Sequence, residues 1–273
     1  MIDAHQHFWR IGRNDCAWPG PELEAIHRDF GPEDLKRLAM AVGVTGSVVV
    51  QSQTSDRDTD YLLELAEGEP FVRAVVGWVD LAAPEAPARI AELAGRPKFR
   101  GVRPMLQDLP QDDWILGREL EPAIDALVEH GLSFDALVRP RQLGALLSFA
   151  ERHPRLPIVI DHAAKPDIAQ GDIQAWCERI ERLAALPNVH CKLSGLPTEC
   201  AEGQGEAEMR PCVDELLRLF GPERLMWGSD WPVLHLAGDY AGWLATAQNL
   251  VRHLGEDALS WVFAGAARRF YRF

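Results

Sequence analysis

The chain has 273 residues, of which 47% are hydrophobic and 25% charged, a balance typical of a globular protein with a substantial core. Its 28 basic and 41 acidic residues give a formal net charge of -13, which disfavours nucleic acid and membranes as partners. Five cysteines without C-x-x-C spacing, and no apolar run of the signal-peptide or membrane-span type, predict a cytoplasmic protein with free thiols.

Eight short apolar segments predict β-strands. Several of them are almost continuously apolar, which is typical of strands that are covered on both faces. In chain order the segments are 1–8, 44–51, 71–79, 99–105, 132–138, 157–162, 189–193 and 225–228.

The segments between these strands predict helices. The first begins at Pro32, since proline is favoured in a first helical turn, and Gly43 ends it. The tail of the chain is expected to hold one helix and then a second that begins near Asp257. The other predicted helices span 60–66, 84–94, 119–130, 143–153, 173–186 and 211–220.

Eight strands alternating with helices predict a closed (β/α)8 barrel, with residues 1–273 as a single domain. An open doubly wound sheet is the alternative, but it would usually carry a glycine-rich phosphate loop after the first strand, and the sequence has none. Two connections are long for a barrel, residues 9–31 and 194–207. Both follow the carboxyl ends of strands, so we expect them to cover a substrate.

Two histidines end the first strand, and an aspartate follows the last. His5 and His7 share a face because strand side chains alternate, and Asp230 comes directly after the eighth apolar segment. The spacing of the two histidines is weak support for a function, and an aspartate in a turn often only caps the next helix. In a closed barrel, however, the first and eighth strands are neighbours. The three side chains could then form a metal site or surround a catalytic base.

Polar side chains also end the fourth and sixth strands. Arg103 could hold a carboxylate or a carbonyl oxygen by paired hydrogen bonds, and His162 could polarise a carbonyl or complete a metal site. A surface salt bridge is the alternative for Arg103, although the adjacent stretch is apolar. Asp161 is predicted to point away from His162 and to make a structural bond.

Further candidates for substrate contact lie in the predicted loops and at the ends of strands. His27 belongs to the long first loop and His235 to the loop after the eighth strand, and both are predicted to reach the substrate. Trp78 and Trp231 follow strands and are predicted to do the same. For Lys192, on the seventh strand, core packing and a substrate role both stay open.

Five segments, in the same order as in that family, resemble the amidohydrolase superfamily, in particular its amidohydrolase-related branch of sugar lactonases. The resemblance spans essentially the whole chain and implies a (β/α)8 barrel that hydrolyses sugar-acid lactones. The five segments are Asp3-Ala4-His5-Gln6-His7-Phe8-Trp9, Gly101-Val102-Arg103, Asp161-His162-Ala163-Ala164-Lys165-Pro166, Cys191-Lys192-Leu193-Ser194-Gly195 and Trp227-Gly228-Ser229-Asp230-Trp231-Pro232.

Two departures from the family pattern limit the metal site that the resemblance implies. The fourth strand ends in Arg103, where two-metal relatives carry a bridging lysine or glutamate, and the fifth strand, 132–135, has no histidine. A two-metal site is therefore disfavoured. At most one divalent ion is expected, most simply zinc on His5, His7 and Asp230, and an enzyme that needs no metal is the alternative.

The resemblance implies a small-molecule substrate, a sugar-acid lactone such as L-fuconolactone or L-rhamnonolactone, hydrolysed in carbohydrate metabolism. Asp230 is predicted to act as general base on water, while Arg103 and His162 polarise the lactone carbonyl. A lactone isomerase or a decarboxylase on the same scaffold stays an alternative, and so does a barrel that only binds sugar acids. The sequence leaves open which lactone is used and which oligomeric state the protein has.

Overall fold

Eight parallel strands form one sheet in the computed structural model, which describes all 273 residues. The strands pair in sequence order from the first to the eighth, so each strand neighbours the one that follows it along the chain. Their bounds are β1 Asp3–Gln6, β2 Ser47–Val50, β3 Val72–Gly77, β4 Phe99–Val102, β5 Ser133–Ala136, β6 Ile158–Ile160, β7 Val189–Leu193 and β8 Leu225–Trp227.

The sheet closes on itself where the end of β1 meets the turn after β8. The backbone N–H of Asp230 donates to the carbonyl of His5 at 2.8 Å, and the N–H of His7 donates to the carbonyl of Trp231 at 2.8 Å. This closure and the strand order confirm the predicted (β/α)8 barrel and exclude the doubly wound sheet, whose strand order would reverse. Closure also brings the two histidines of the first strand beside Asp230.

Ten helices surround the barrel or close its lower end, the end at which the strands begin. None of them combines the length and the apolar character that crossing a bilayer requires. Their bounds are α1 Pro32–Ala41, α2 Asp56–Gly68, α3 Ala86–Ala94, α4 Glu121–Glu129, α5 Leu143–Arg152, α6 Gln174–Ala184, α7 Glu206–Phe220, α8 Tyr240–Val251, α9 Glu256–Ser260 and α10 Ala266–Tyr271.

The helix bounds differ most from the prediction at the starts of α2 and α7, and α2 begins at Asp56 instead of residue 60. Proline favours a first helical turn, which places the predicted start of α7 at Pro211, but the helix begins at Glu206 and Pro211 lies inside it. The tail agrees with the prediction: α8 is followed by a second helical stretch that begins at Glu256, in which the π-helical segment Trp261–Gly265 joins α9 to α10.

Five long connections leave the carboxyl ends of strands, residues 7–31, 103–120, 161–173, 194–205 and 228–239. Those after β1 and β7 agree with the prediction. The connection of residues 103–120, between β4 and α4, is missing from it. Short 3-10 turns replace a regular helix there, so the segment has neither the apolar period of a helix nor the alternation of a strand.

Two apolar clusters make up the core. The larger lies between the sheet and the surrounding helices. The smaller fills the amino-terminal end of the barrel, where Ala4, Val50 and Met226 from the strands pack against Phe270 and Tyr271 of α10. The carboxyl-terminal helix therefore closes the lower end of the barrel, and the opposite end stays open for a site.

Asp3 joins the first strand to the eighth. Its buried carboxylate accepts hydrogen bonds from the backbone N–H of Ser229 at 2.8 Å, the Ser229 hydroxyl at 2.6 Å and the Tyr240 hydroxyl at 3.0 Å. Burial raises the pKa of Asp3 to about 6, while these donors act in the opposite direction. The side chain thus ties β1 to the turn that carries Asp230.

Asp3→Ala is expected to lower the melting temperature by roughly 6–15 °C. The substitution leaves several buried donors unpaired, at a cost of about 3–4 kcal/mol, and about 1 kcal/mol shifts the melting temperature of a chain of this size by about 2–4 °C. Calorimetry of the variant measures the shift. Asp214→Ala, on the exposed side of α7, is the control and should change little; equal shifts in the two variants would contradict the role of Asp3.

Candidate active site

Three imidazoles surround the Asp230 carboxylate at the open end of the barrel. The Nε2 atoms of His5, His7 and His162 lie 3.7, 3.4 and 3.8 Å from Asp230 Oδ1. The Nε2 atoms of His5 and His7 lie 3.2 Å apart. All four side chains are buried. The structure therefore brings together the residues that the sequence predicts from the first, sixth and eighth strands.

The backbone carbonyl of Val50 determines which nitrogen of His7 carries the proton. His7 Nδ1 lies 2.8 Å from Val50 O, and a carbonyl only accepts, so Nδ1 is the protonated nitrogen. In the neutral imidazole, Nε2 then presents a lone pair toward Asp230 Oδ1. Two acceptors at that distance favour a proton or a cation between them.

A left-handed backbone turn places both Asp161 and His162 in the site. His162, Ala163, Ala164 and Lys165 have φ angles of 51°, 52°, 61° and 54°. The predicted alternation of strand side chains fails here, because the strand ends at residue 160 and the chain turns sharply. The prediction that Asp161 points away from the site is therefore wrong.

Gly195 and Ser194 hold His162 from the neighbouring strand end. Ser194 Oγ lies 2.9 Å from His162 Nδ1. A Cβ atom on Gly195 would lie 2.6 Å from the same nitrogen, and the residue has φ +65°. Glycine is therefore required at this position both by its backbone and by the close approach of the imidazole.

The electrostatics of the site combine an ionised carboxylate with neutral imidazoles. Burial alone would raise the pKa of Asp230, but the three histidines outweigh it and hold that pKa below its ordinary value. Burial lowers the pKa of His162 to about 4, although Asp230 opposes the shift. Burial and the Lys192 ammonium lower the pKa of His5 well below its ordinary value. Near pH 7 Asp230 is therefore charged and His5 and His162 are neutral.

These donors fit one divalent metal ion. Bonds of about 2.0–2.1 Å to nitrogen and oxygen give a tetrahedral edge of about 3.3 Å, close to the spacing between His5, His7 and Asp230. Two neutral imidazoles and a carboxylate are common zinc ligands. Arg103 Nη1 lies 3.3 Å from His5 Nε2, so a fixed positive charge lies beside the group and disfavours a second ion.

A buried ion-pair network lies directly beneath His5. Lys192 Nζ is 2.6 Å from Asp135 Oδ2, 2.9 Å from Asp161 Oδ1 and 3.1 Å from His5 Nδ1. The Tyr271 hydroxyl of α10 donates to Asp135 Oδ2 at 2.6 Å. Lys192 therefore has a structural role that reaches the site through His5, one of the two roles that the sequence leaves open.

Arg103 extends this network to the wall of the cavity. Its Nη1 lies 3.3 Å from Asp161 Oδ2, and its Nη2 donates to the backbone carbonyl of Gln51. Burial would raise the pKa of Asp161, but Lys192, His5 and Arg103 outweigh burial and hold that pKa well below its ordinary value. The guanidinium is thus fixed in orientation beside the histidines.

A cavity of about 650 Å³ opens beside this group. His7, Arg103, His162 and Asp230 line it, together with residues from the six loops that follow β1, β2, β4, β5, β6 and β8. The remaining predicted substrate residues, His27, Trp78, Trp231 and His235, are not among the lining side chains. Trp231 is fully buried and packs with Phe30 and His235, and His27 Nδ1 lies 2.9 Å from the backbone carbonyl of Pro19.

The long β4–α4 connection contributes cavity residues that the sequence analysis does not identify. Met105, Gln107, Asp108 and Leu109 come from this segment, and Lys165 comes from the turn after His162. The distance between the fourth predicted strand and the next predicted helix is the signal that could have revealed the segment.

Lys192→Met is expected to lower the melting temperature by roughly 6–20 °C. The substitution leaves the buried Asp135 carboxylate without a cationic partner and the buried Asp161 carboxylate with Arg103 alone, at a cost of about 3–5 kcal/mol. Adding Asp135→Asn to it should restore part of the loss, because one unpaired charge is removed.

Calorimetry of the single and double variants measures this coupling. Arg155→Met, on an exposed side chain without an ionic partner, is the matched control and should change little. A Lys192→Met protein as stable as this control would show that the network does not stabilise the fold.

Known proteins resemble this chain in both sequence and fold. A profile of the family described as Amidohydrolase matches residues 2–273. The chain is 57% identical over 275 residues to an L-fucono-1,5-lactonase of Burkholderia ambifaria, a match that covers 99% of this chain and 95% of the relative. It is 38% identical over 286 residues to an L-fucono-1,5-lactonase of Burkholderia multivorans, covering 99% and 95%. A solved structure of a Burkholderia multivorans amidohydrolase with bound zinc has a TM-score of 0.94 at 37% identity, covering 100% of this chain and 99% of that chain.

Proposed function

The chain belongs to the amidohydrolase family and is a lactonase of sugar catabolism. From that premise we propose that it hydrolyses a 6-deoxy sugar-acid 1,5-lactone, and L-fucono-1,5-lactone is the leading candidate. The two relatives named L-fucono-1,5-lactonase match almost the whole chain and support this substrate class. Neither of them favours the alternatives, an isomerase, a decarboxylase or a barrel that only binds sugar acids.

The observation that carries the catalytic assignment is the ionised Asp230 carboxylate among neutral imidazoles on the wall of a cavity. A volume of about 650 Å³ lies in the range of small-molecule sites. Asp230 can accept a proton, while His162 and Arg103 can donate hydrogen bonds to an oxygen. Lactone hydrolysis requires both functions at one carbonyl group.

In the proposed reaction, Asp230 holds a water molecule and accepts its proton as the water oxygen attacks the lactone carbonyl. Arg103 and His162 Nε2–H stabilise the negative charge that develops on the carbonyl oxygen. Ser194 Oγ lies 2.9 Å from His162 Nδ1, and in the proposed reaction its hydroxyl donates to that nitrogen, so that the proton of the imidazole is on Nε2. Asp230 then returns the proton to the ring oxygen as the ester bond breaks, and the acid product ionises.

We propose that His5, His7 and Asp230 hold at most one divalent ion, zinc being the best fit to the donors. When bound, such an ion lowers the pKa of a coordinated water and so provides a nucleophile near neutral pH. The carboxylate of Asp230 can also orient and deprotonate water by itself. The ion is therefore an aid to the proton transfer and not a requirement for it.

Asp230→Asn is expected to lower kcat/KM for L-fucono-1,5-lactone by about 100- to 10,000-fold, because the amide cannot accept the proton. A pH-indicator assay follows the proton that hydrolysis releases. Asp108→Asn, a carboxylate on the same cavity but away from the histidines, is the control and should keep kcat within about tenfold. Hydrolysis near the wild-type rate by Asp230→Asn would remove Asp230 from the mechanism.

After dialysis against zinc, elemental analysis is expected to find one equivalent of zinc per chain, since Arg103 lies beside the donors. His7→Ala should weaken zinc binding by at least roughly tenfold, whereas His235→Ala, outside the donor set, should retain it. Two equivalents of zinc in the wild type would contradict the single-ion site. A panel of aldonolactones assayed with and without a chelator measures the substrate range and the metal dependence together.

A further inference from the structure

An exposed tryptophan lines the catalytic cavity from the long loop after β1. Trp18 is 38% exposed, one of the few large apolar side chains of the chain that are open to this degree. Its indole contacts the buried Trp9 edge-on, with ring centroids 5.4 Å apart. A large aromatic side chain left open on a cavity wall is an unpartnered apolar surface inside the site.

The loop that carries Trp18 is fixed by the side-chain amide of Gln53. Gln53 Oε1 accepts from the backbone N–H groups of Ala17 at 3.1 Å and of Trp18 at 3.3 Å. Gln53 Nε2 donates to the backbone carbonyl of Trp18 at 2.7 Å and to the Ser52 hydroxyl at 3.0 Å. One buried amide thus satisfies the backbone of the loop on both sides, as a neighbouring strand would.

Gln53 is itself held by the helix that follows β2. The Asp58 carboxylate, which is buried in α2, accepts from the backbone N–H groups of Ser52 at 2.9 Å and of Gln53 at 3.2 Å. On the other side of the loop, His27 bonds to the carbonyl of Pro19. The backbone on both sides of Trp18 is therefore attached to the barrel at several points, and the contact with Trp9 holds the indole against the loop.

We propose that Trp18 is the specificity-determining residue for the deoxy end of the lactone, and that Gln53 is its positioning residue. The indole packs against the methyl-bearing, apolar side of the lactone ring. Met105, Leu109, Leu137 and Val233 also line the cavity and give it further apolar surface. This inference rests on the proposed function and adds to it the part of the cavity that distinguishes a 6-deoxy lactone from its 6-hydroxy counterpart.

Solvation favours the methyl group of the lactone at the indole. Apolar surface on the ligand gains free energy when it covers an indole, whereas a hydroxyl placed there loses its water without gaining a partner. Pockets of this kind reject an added hydroxyl by about 100-fold at most. Polar groups of the ring are left for the polar side chains that line the same cavity, Arg103, His162 and Asp230.

The test compares L-fucono-1,5-lactone with L-galactono-1,5-lactone, which differs by one hydroxyl on the terminal carbon. Wild type is expected to prefer the deoxy lactone by about 10- to 100-fold in kcat/KM. Trp18→Ala should raise KM for the deoxy lactone by about tenfold or more at nearly unchanged kcat, because the contact stabilises ground state and transition state alike. It should also reduce the preference to about threefold or less, while Trp18→Phe keeps most of it.

Gln53→Met tests the positioning role. It should raise KM in the same way as Trp18→Ala, and the double variant should be no worse than Trp18→Ala alone, since both act through one indole. An effect of Gln53→Met on melting temperature without a change of KM would show a structural role only. Leu236→Ala, an equally exposed apolar residue outside the cavity, is the control and should leave both kinetic constants unchanged.

The outcomes separate this inference from the function on which it rests. Absence of turnover of both lactones by the wild type would overturn the proposed function and the inference with it. Turnover with an unchanged KM and preference in Trp18→Ala would overturn the role of Trp18 alone. Additive losses in the double variant would overturn the positioning role of Gln53 and leave Trp18 in place.

Discussion

The ammonium group of Lys192 is the constraint on which the barrel interior depends. A fully buried cation is stable only with counter-charges, and Asp135 and Asp161 provide them from the two preceding strands. The same group lies against His5 Nδ1, so burial and then the charge that organises the interior lower the pKa of this imidazole and keep it neutral. Through Asp135 the network reaches Tyr271, which joins the carboxyl-terminal helix to the barrel. The layer that stabilises the fold is therefore also the layer that tunes the site.

The parts of the site that depend on regular geometry follow from the sequence. His5 and His7 share a face because a strand alternates, and barrel closure brings them to Asp230. Asp161 does not follow the same rule. Its neighbour His162 begins a left-handed turn that no propensity of His, Ala or Lys would predict, and the strong contacts of the folded interior impose it. The resemblance to sugar lactonases identifies His162 as a site residue, but local reasoning mispredicts the side-chain direction next to it.

The conformations of the long loops are the second part of the site that the sequence does not predict. Length alone shows that the connection after β1 covers the site, yet it does not distinguish which of its side chains face the substrate. His27 bonds to a backbone carbonyl of its own loop, while Trp18 lines the cavity. The difference arises from the amide of Gln53, a contact between residues far apart in sequence that has no periodic signal. The β4–α4 segment is missed for a related reason, since its short 3-10 turns match neither the apolar period of a helix nor the alternation of a strand.

The depressed pKa of Asp230 has a consequence for how the rate is achieved. A carboxylate surrounded by imidazoles stays ionised, but the contacts that keep it ionised also weaken it as a base. In the proposed mechanism, catalysis then comes mainly from orientation and from stabilisation of the oxyanion, which the fixed guanidinium of Arg103 and the Nε2–H of His162 would provide without reorganisation. A lactone suits such a site, because its ester carbonyl is already electrophilic and its leaving group stays tethered to the ring carbon chain. A single ion on the same donors would add to this arrangement by acidifying the water, and would leave the roles of the other residues unchanged.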